Sequence, residues 1–170
     1  GFKDEKAIGI APFAAFSSKM YPIEKMKIVA QKLAEDGFKI YLFGGGKVEA
    51  EELQLWENLH PSIQSLANKM SFEEELKTIS TLHCMISMDS ANMHLASLMG
   101  TRTISIWGGT HPFAGFLSYG QSMNDVIQDE SLTIRPTSIF GKDPKEFQDV
   151  DYFQNLSAEY VYEEIRSRLN

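Results

Sequence analysis

With one cysteine in 170 residues, Cys84, the chain can form no internal disulfide, which fits a reducing compartment such as the cytosol. Positive charge is scarce too. Sixteen Lys and Arg against 23 Asp and Glu leave a formal net charge of −7. That excludes the basic face of a general nucleic-acid binder, but not a local site for a small anion. No apolar run nears the ~20 residues of a membrane-spanning helix, and the N-terminus has no basic-then-apolar signal pattern. There is no HExxH motif and no paired Cys/His spacing, which disfavours a metal site built from Asp89, His94 and His111. No Walker loop or GxGxxG fingerprint occurs, and no repeat or low-complexity segment. Cys84 lies inside an apolar run, where cysteine acts as a small hydrophobe and not as a nucleophile.

What is present is an ordinary globular mix. At 43% hydrophobic residues and this length, residues 1–170 read as one domain that can bury a core unaided. Short strand-like runs alternate with helical stretches. After a polar lead-in at Gly1–Lys6, Ala7–Pro12 reads as a strand and Pro22–Asp36 as a helix, with Ile23, Met26, Ala30 and Leu33 on one face. Gly37 stops that helix. Lys39–Phe43 is a second strand, Val48–Leu59 a helix with Leu53 and Trp56 inward, and Ser62–Leu66 a short third strand. Ser71 and Glu74 fit a capping box that opens a helix, with Phe72, Leu76 and Ile79 as its inner stripe. Cys84–Met88, Thr103–Trp107 and Val126–Gln128 complete the strands, with a helix over Ala91–Met99. Arg135–Asn155 lacks periodicity and reads as a surface crossing, and a last helix starts near Ser157. Such alternation predicts an α/β fold, a parallel sheet with helices on both faces. In such sheets ligands bind at the carboxyl ends of the strands, so the loops after Pro12, Phe43, Met88 and Trp107 should converge.

Four of these loops carry residues suited to a phosphorylated ligand. In Met88–Ala96 (MDSANMHLA) a buried strand ends and a helix begins. Ser90 suits the N-cap, and the first-turn amides of Ala91, Asn92 and Met93 make an anion site with the helix dipole. His94 can hydrogen-bond a phosphate, while Asp89 would repel one and suits sugar hydroxyls better. In FAAFSSK, Ser17 and Ser18 offer hydroxyls and Lys19 a point charge. In GGGKVEAE, glycines allow close backbone approach, and Glu49 rather than Glu51 is placed to bind ribose hydroxyls. In Gly108–Gln121, Gly109 and Thr110 can approach the ligand, while Phe113, Phe116 and Tyr119 suit packing against a partner domain instead.

Taken in order, APFAAFSSKMYP, LFGGGKVEAE, LANKMSFEEEL, MDSANMHLA and SIWGGTHP resemble the C-terminal half of glycosyltransferase family nine, the lipopolysaccharide heptosyltransferases. DSANMHLA is similar to that family's Asp-Ser-Gly-x-Met-His-hydrophobic-Ala signature, and the resemblance runs from about Ala7 to Gln121. It departs from the family at Ala91, where glycine is usual, and at Thr137, where relatives often carry cysteine. The resemblance implies a GT-B architecture with this chain as its Rossmann-like donor half and the acceptor domain, with the catalytic base, lying outside it. It implies phosphate contacts from Ser17, Ser18, Lys19, Ser90 and the helix start through His94, ribose at Glu49, the base near Met70, and the sugar at Asp89. It also implies metal-independent, inverting transfer from a nucleoside diphosphate sugar such as ADP-heptose, with no cofactor. The acceptor would be a lipid-linked saccharide, and membrane contact at most peripheral at the cytoplasmic face. A sugar-nucleotide epimerase or hydrolase, with Asp89 as its carboxylate, and a non-catalytic nucleotide-binding module are the competing readings.

Overall fold

The computed structural model describes residues 4–169. Six strands form one parallel sheet in the order β3-β2-β1-β4-β5-β6. The strands are β1 (Asp4–Ala11), β2 (Lys39–Leu42), β3 (Ile63–Ser65), β4 (Leu82–Met88), β5 (Arg102–Trp107) and β6 (Val126–Gln128). The helices are α1 (Ile23–Glu35), α2 (Gly46–Trp56), α3 (Phe72–Thr81), α4 (Ala91–Leu98) and α5 (Ala158–Arg168). The chain leaves β1 towards β2 and β3, then returns to the other side of β1 at β4. That reversal between β1 and β4 is the topological switch point of a doubly wound sheet.

Both sheet faces are dry, which is why the strands read as continuous apolar runs. Alternate residues divide between the faces. Ile8, Ile10, Ile40, Leu42, Cys84 and Ile86 pack with α1, α2 and α5 on one side. Ala7, Ala11, Phe43 and Met85 pack with Ile79 of α3 and Ala96 of α4 on the other. Leu53 and Trp56 bury fully, anchoring α2; each such side chain is worth roughly 1.5–3 kcal/mol of transfer free energy.

Local signals fix the helix ends. Pro22 stands at the N-cap of α1, one position before the first turn where the sequence placed it. Gly37, at φ +92°, turns the chain out of α1. Its amide donates to the Ala34 carbonyl at 3.0 Å and that of Phe38 to Leu33 at 3.2 Å, a Schellman close. Ser71 and Glu74 exchange both bonds of a capping box. Ser157 caps α5 through the Tyr160 amide at 3.1 Å.

Three expectations need correction. β1 begins at Asp4 rather than Ala7, because its polar start still pairs beside β4 at Leu82; residues 1–3 of the expected lead-in lie outside the described residues. Phe72 is exposed and not part of the inner stripe of α3, since the capped first turn stands clear of the sheet. The stretch after Arg135 is irregular but not merely superficial. Tyr152, Phe153 and Leu156 are buried, and the Tyr21 hydroxyl donates to the Leu156 carbonyl at 3.0 Å, tying this stretch to the start of α1.

Candidate functional site

A cleft of about 430 Å³ opens at the carboxyl edge of the sheet, at the switch point. The loop after β1 supplies Phe13, Ala14, Ala15 and Lys19; the end of β2 supplies Phe43, Gly44 and Gly45; α2 supplies Glu49. The turn after β4 adds Asp89, Ser90, Ala91, Asn92 and His94, and the loop after β5 adds Phe116. Parallel strands end on one edge, so segments far apart in sequence meet there.

Its floor is an ion pair. The Lys19 ammonium lies 3.0 Å from Asp89 Oδ2, and the two side chains are 13% and 3% exposed. The Thr110 hydroxyl, fully buried, donates to the same oxygen at 2.9 Å. Among the described residues no hydrogen bond reaches Asp89 Oδ1. Lys19 therefore arrives partnered rather than as the bare charge its type suggests. An ammonium has three N–H donors, so one bond to Asp89 leaves two for a ligand. A carboxylate and an ammonium so placed can grip a ligand bearing hydroxyls beside an anionic group.

Above the pair stands the N-terminus of α4. Ser90 occupies the N-cap but makes no capping bond, a departure from its expected role; its hydroxyl lies 3.0 Å from that of Ser87. Among the described residues no side-chain bond to the first-turn amides is present, and the helix end keeps its partial positive charge. Ala91, Asn92 and His94 face the cleft there, while the Met93 side chain turns inward to pack with Trp107 and Val126. At the opposite wall Glu49 Oε2 accepts the Gly45 amide at 2.8 Å. A Cβ on Gly44 would sit 3.1 Å from that oxygen and 2.9 Å from Leu53 Cδ1, so the turn is close-packed against α2. Glu51 instead faces solvent, 3.7 Å from Lys47.

The remaining expected residues lie around the cleft and not on it. Ser17 lines a neighbouring cavity with Asp143 and Gln148. Ser18 is buried, and its hydroxyl donates to the Gly141 carbonyl. Gly109 backs the site, its amide donating to the Ser18 carbonyl at 2.7 Å. Met70 packs partly buried against the core face formed by Phe43 and Ile79. Sequence reasoning missed Phe13, Phe43 and Phe116 as cleft residues. Phe13 lies two residues past β1 and Phe43 directly follows β2, and that position was the available signal.

A further residue supports the site from below. Arg135 is half-buried and has four acceptors but no carboxylate among them. It donates to the carbonyls of Gly108, Asp129 and Thr110 and to Gln128 Oε1. Burial lowers its pKa from the usual arginine value, partly offset by Glu130 and Asp129 nearby. Its bond to the Thr110 carbonyl, 2.9 Å, fixes the residue that orients Asp89. Burial pushes Tyr152 up to about 12, with the Asp143 carboxylate beside it adding to the shift. Among the described residues no three His, Cys, Asp or Glu side chains are grouped to hold a metal ion. No helix among them is long and apolar enough to cross a membrane.

Fold and cleft together define a doubly wound α/β domain whose main cleft opens at the switch point. Residues 1–135 match glycosyltransferase family 9 (heptosyltransferase), and the chain belongs to that family. It is 29% identical over 134 residues to lipooligosaccharide heptosyltransferase 2 of Haemophilus influenzae, covering 75% of this chain and 39% of that protein. To lipopolysaccharide heptosyltransferase 2 of Escherichia coli it is 24% identical, covering 62% of this chain and 32% of the relative. Among solved structures, E. coli ADP-heptose LPS heptosyltransferase II superposes with a TM-score of 0.70 at 20% identity, over 98% of this chain and 47% of that one. E. coli heptosyltransferase WaaC with ADP gives 0.72 at 19% identity, over 98% and 46%. The chain thus spans less than half the length of these relatives, and the solved structures match it in fold.

Proposed function

We propose that these residues form the donor-binding domain of an inverting glycosyltransferase. It would move a heptose-like sugar from a nucleoside diphosphate to a lipopolysaccharide-type, lipid-linked acceptor. The observation that carries this reading is the Lys19–Asp89–Thr110 constellation beneath an α4 N-terminus that no side chain caps. The site pairs a hydroxyl-accepting carboxylate with a cation and free amides, the chemistry that a sugar diphosphate presents.

In this reading the free N–H groups of Lys19, the amides of Ala91, Asn92 and Met93, the Ser90 hydroxyl and His94 meet the diphosphate. Asp89 Oδ1 takes a sugar hydroxyl, and Glu49 takes the ribose. Met70 would lie towards the base. Ser17, Ser18 and Gly109 act from behind, shaping the loop that carries Lys19. An acceptor hydroxyl attacks the anomeric carbon from the far face, and its proton passes to a base on a domain outside these 170 residues. The bond from that carbon to the β-phosphate oxygen breaks, and the electron pair leaves with the nucleoside diphosphate. Lys19 and the α4 amides stabilise the charge that grows there, with no metal. A helix terminus alone supplies at most ~2 kcal/mol, so the ammonium is needed as well. The lengths of the relatives support a second domain carrying base and acceptor. The protein would work at the cytoplasmic face of the membrane, touching it at most peripherally.

Lys19→Ala tests the reading. Charged hydrogen bonds contribute ~1.5–3 kcal/mol, so affinity for the nucleoside diphosphate should fall roughly tenfold or more. Unchanged affinity in a folded variant removes Lys19 from the site.

A further inference from the structure

The segment that covers Lys19 from outside lies beyond the residues matched by the family, which end at 135. Thr137 binds it to the loop after β5, with its amide 3.0 Å from the Gly109 carbonyl. Its hydroxyl reaches Asp143 at 2.8 Å. Phe140 leans edge-on against Phe116 of the cleft wall, with ring centroids 5.9 Å apart. Between these anchors Gly141 lies directly on the aliphatic stem of Lys19. Its backbone is at φ +92°, a left-handed conformation that side chains rarely adopt. A Cβ there would stand 2.7 Å from Lys19 Cγ and closer still to Cδ. The carbonyl of Gly141 accepts the Ser18 hydroxyl, and its amide donates to the Ser138 hydroxyl at 3.1 Å. The residue next to Lys19 and the strap over it are therefore one hydrogen-bonded unit.

We infer that Gly141 is a positioning residue, and that the 137–141 strap sets where the Lys19 ammonium stands between Asp89 and the mouth of the cleft. The inference rests on the donor-site reading of Lys19. The stem of a lysine has four rotatable bonds, and an isolated stem would spread its ammonium over several positions. Here Gly141 packs against the outer side of the stem while the ammonium pairs with Asp89. Any side chain at 141 would push the stem aside. The ammonium would then leave the line between Asp89 and the α4 amides, and ligand binding would weaken without any contact of residue 141 with the ligand.

The test uses the full-length protein and whichever of ADP, UDP and GDP the wild type binds best. Gly141→Ala should weaken that affinity severalfold, and by no more than Lys19→Ala does. Gly37→Ala is the control for backbone strain. It has the same φ of +92°, nothing within 4 Å of a built Cβ, and a place at the far end of α1. It should leave affinity unchanged. In a Lys19→Ala background, Gly141→Ala should cost nothing further. Ser138→Ala removes the hydroxyl that holds the Gly141 amide, and should give a smaller loss that likewise disappears when Lys19 is alanine. This variant carries the test if Gly141→Ala fails to fold. Wild-type affinity in Gly141→Ala, or a loss repeated in full without Lys19, overturns the inference alone. A wild type that binds none of the three, or a Lys19→Ala variant that binds as the wild type does, overturns the donor-site reading and this inference with it.

Discussion

Lys19 and Asp89 neutralise one another in the cleft, and that balance shapes what the site can hold. A bare phosphate gains the ammonium but meets the carboxylate. A sugar diphosphate satisfies both, because hydroxyls can donate to Asp89 while phosphate oxygens accept from Lys19. Asp89→Asn should therefore cost affinity for the sugar nucleotide more than for the nucleoside diphosphate alone. Comparing the two ligands by calorimetry checks this, and an equal loss for both would remove Asp89 from the sugar. His111, beside the site, gives a pH prediction. Burial and the Arg135 charge hold its pKa below 6.5, the favourable pull of Glu130 notwithstanding. Its Nδ1 accepts the Phe113 amide at 3.2 Å, which requires that nitrogen to be unprotonated. The unfolded chain takes up the proton first, near pH 6.5. The contribution of His111 to stability is thus fully present above that pH and is lost as pH falls through the lower folded value. An NMR titration should place its midpoint below 6.5, and a midpoint at or above 6.5 would contradict the assignment. At this scale Lys19, Glu49, Asp89, Ser90 and His94 were legible because strand ends converge whatever the side chains do. The Ser18 hydroxyl was not, since its partner Gly141 lies 123 residues away.

Among the elements, α3 and α4 show what a local signal can and cannot say. The Ser71–Glu74 capping box was readable from spacing, because both bonds lie within one turn. Ser71→Ala should destabilise the protein by about 1 kcal/mol. Denaturant unfolding measures it, and no change would show that the first turn of α3 is held by other contacts. Ligand affinity should stay as it was, since α3 supplies nothing to the cleft. The inward placement of Phe72 failed for a related reason. Periodicity names a face but not how far the sheet extends beneath it, and here the first turn overhangs the core. At α4 the position of the N-cap was readable but its use was not. Ser87, the residue that engages the Ser90 hydroxyl, sits on β4 and reads as one more core position. An uncapped helix start costs stability, and a ligand that bonds its amides recovers it.

For the whole molecule, the alternation of strands and helices gave the parallel sheet, and the dry faces followed from the apolar runs. Strand order is not written in alternation. The reversal at β1 and β4 depends on which side of β1 the fourth strand joins, and the cleft opens there. The stretch from Arg135 to Asn155 resisted reading because its residues are held by single side-chain bonds rather than by a repeat. Thr137, Asp143 and Tyr152 form one such cluster, and Asp129 with Asn155 another. In the proposed function the cleft at the switch point binds a nucleoside diphosphate sugar without a metal. Calorimetric titration of the full-length protein with ADP, UDP, GDP and ADP-heptose, each with Mg²⁺ and with EDTA, tests it most directly. Saturable binding of one nucleotide series, tighter with the sugar attached and the same in EDTA, is the expected result. No binding by the folded protein, or binding that vanishes in EDTA, would contradict it.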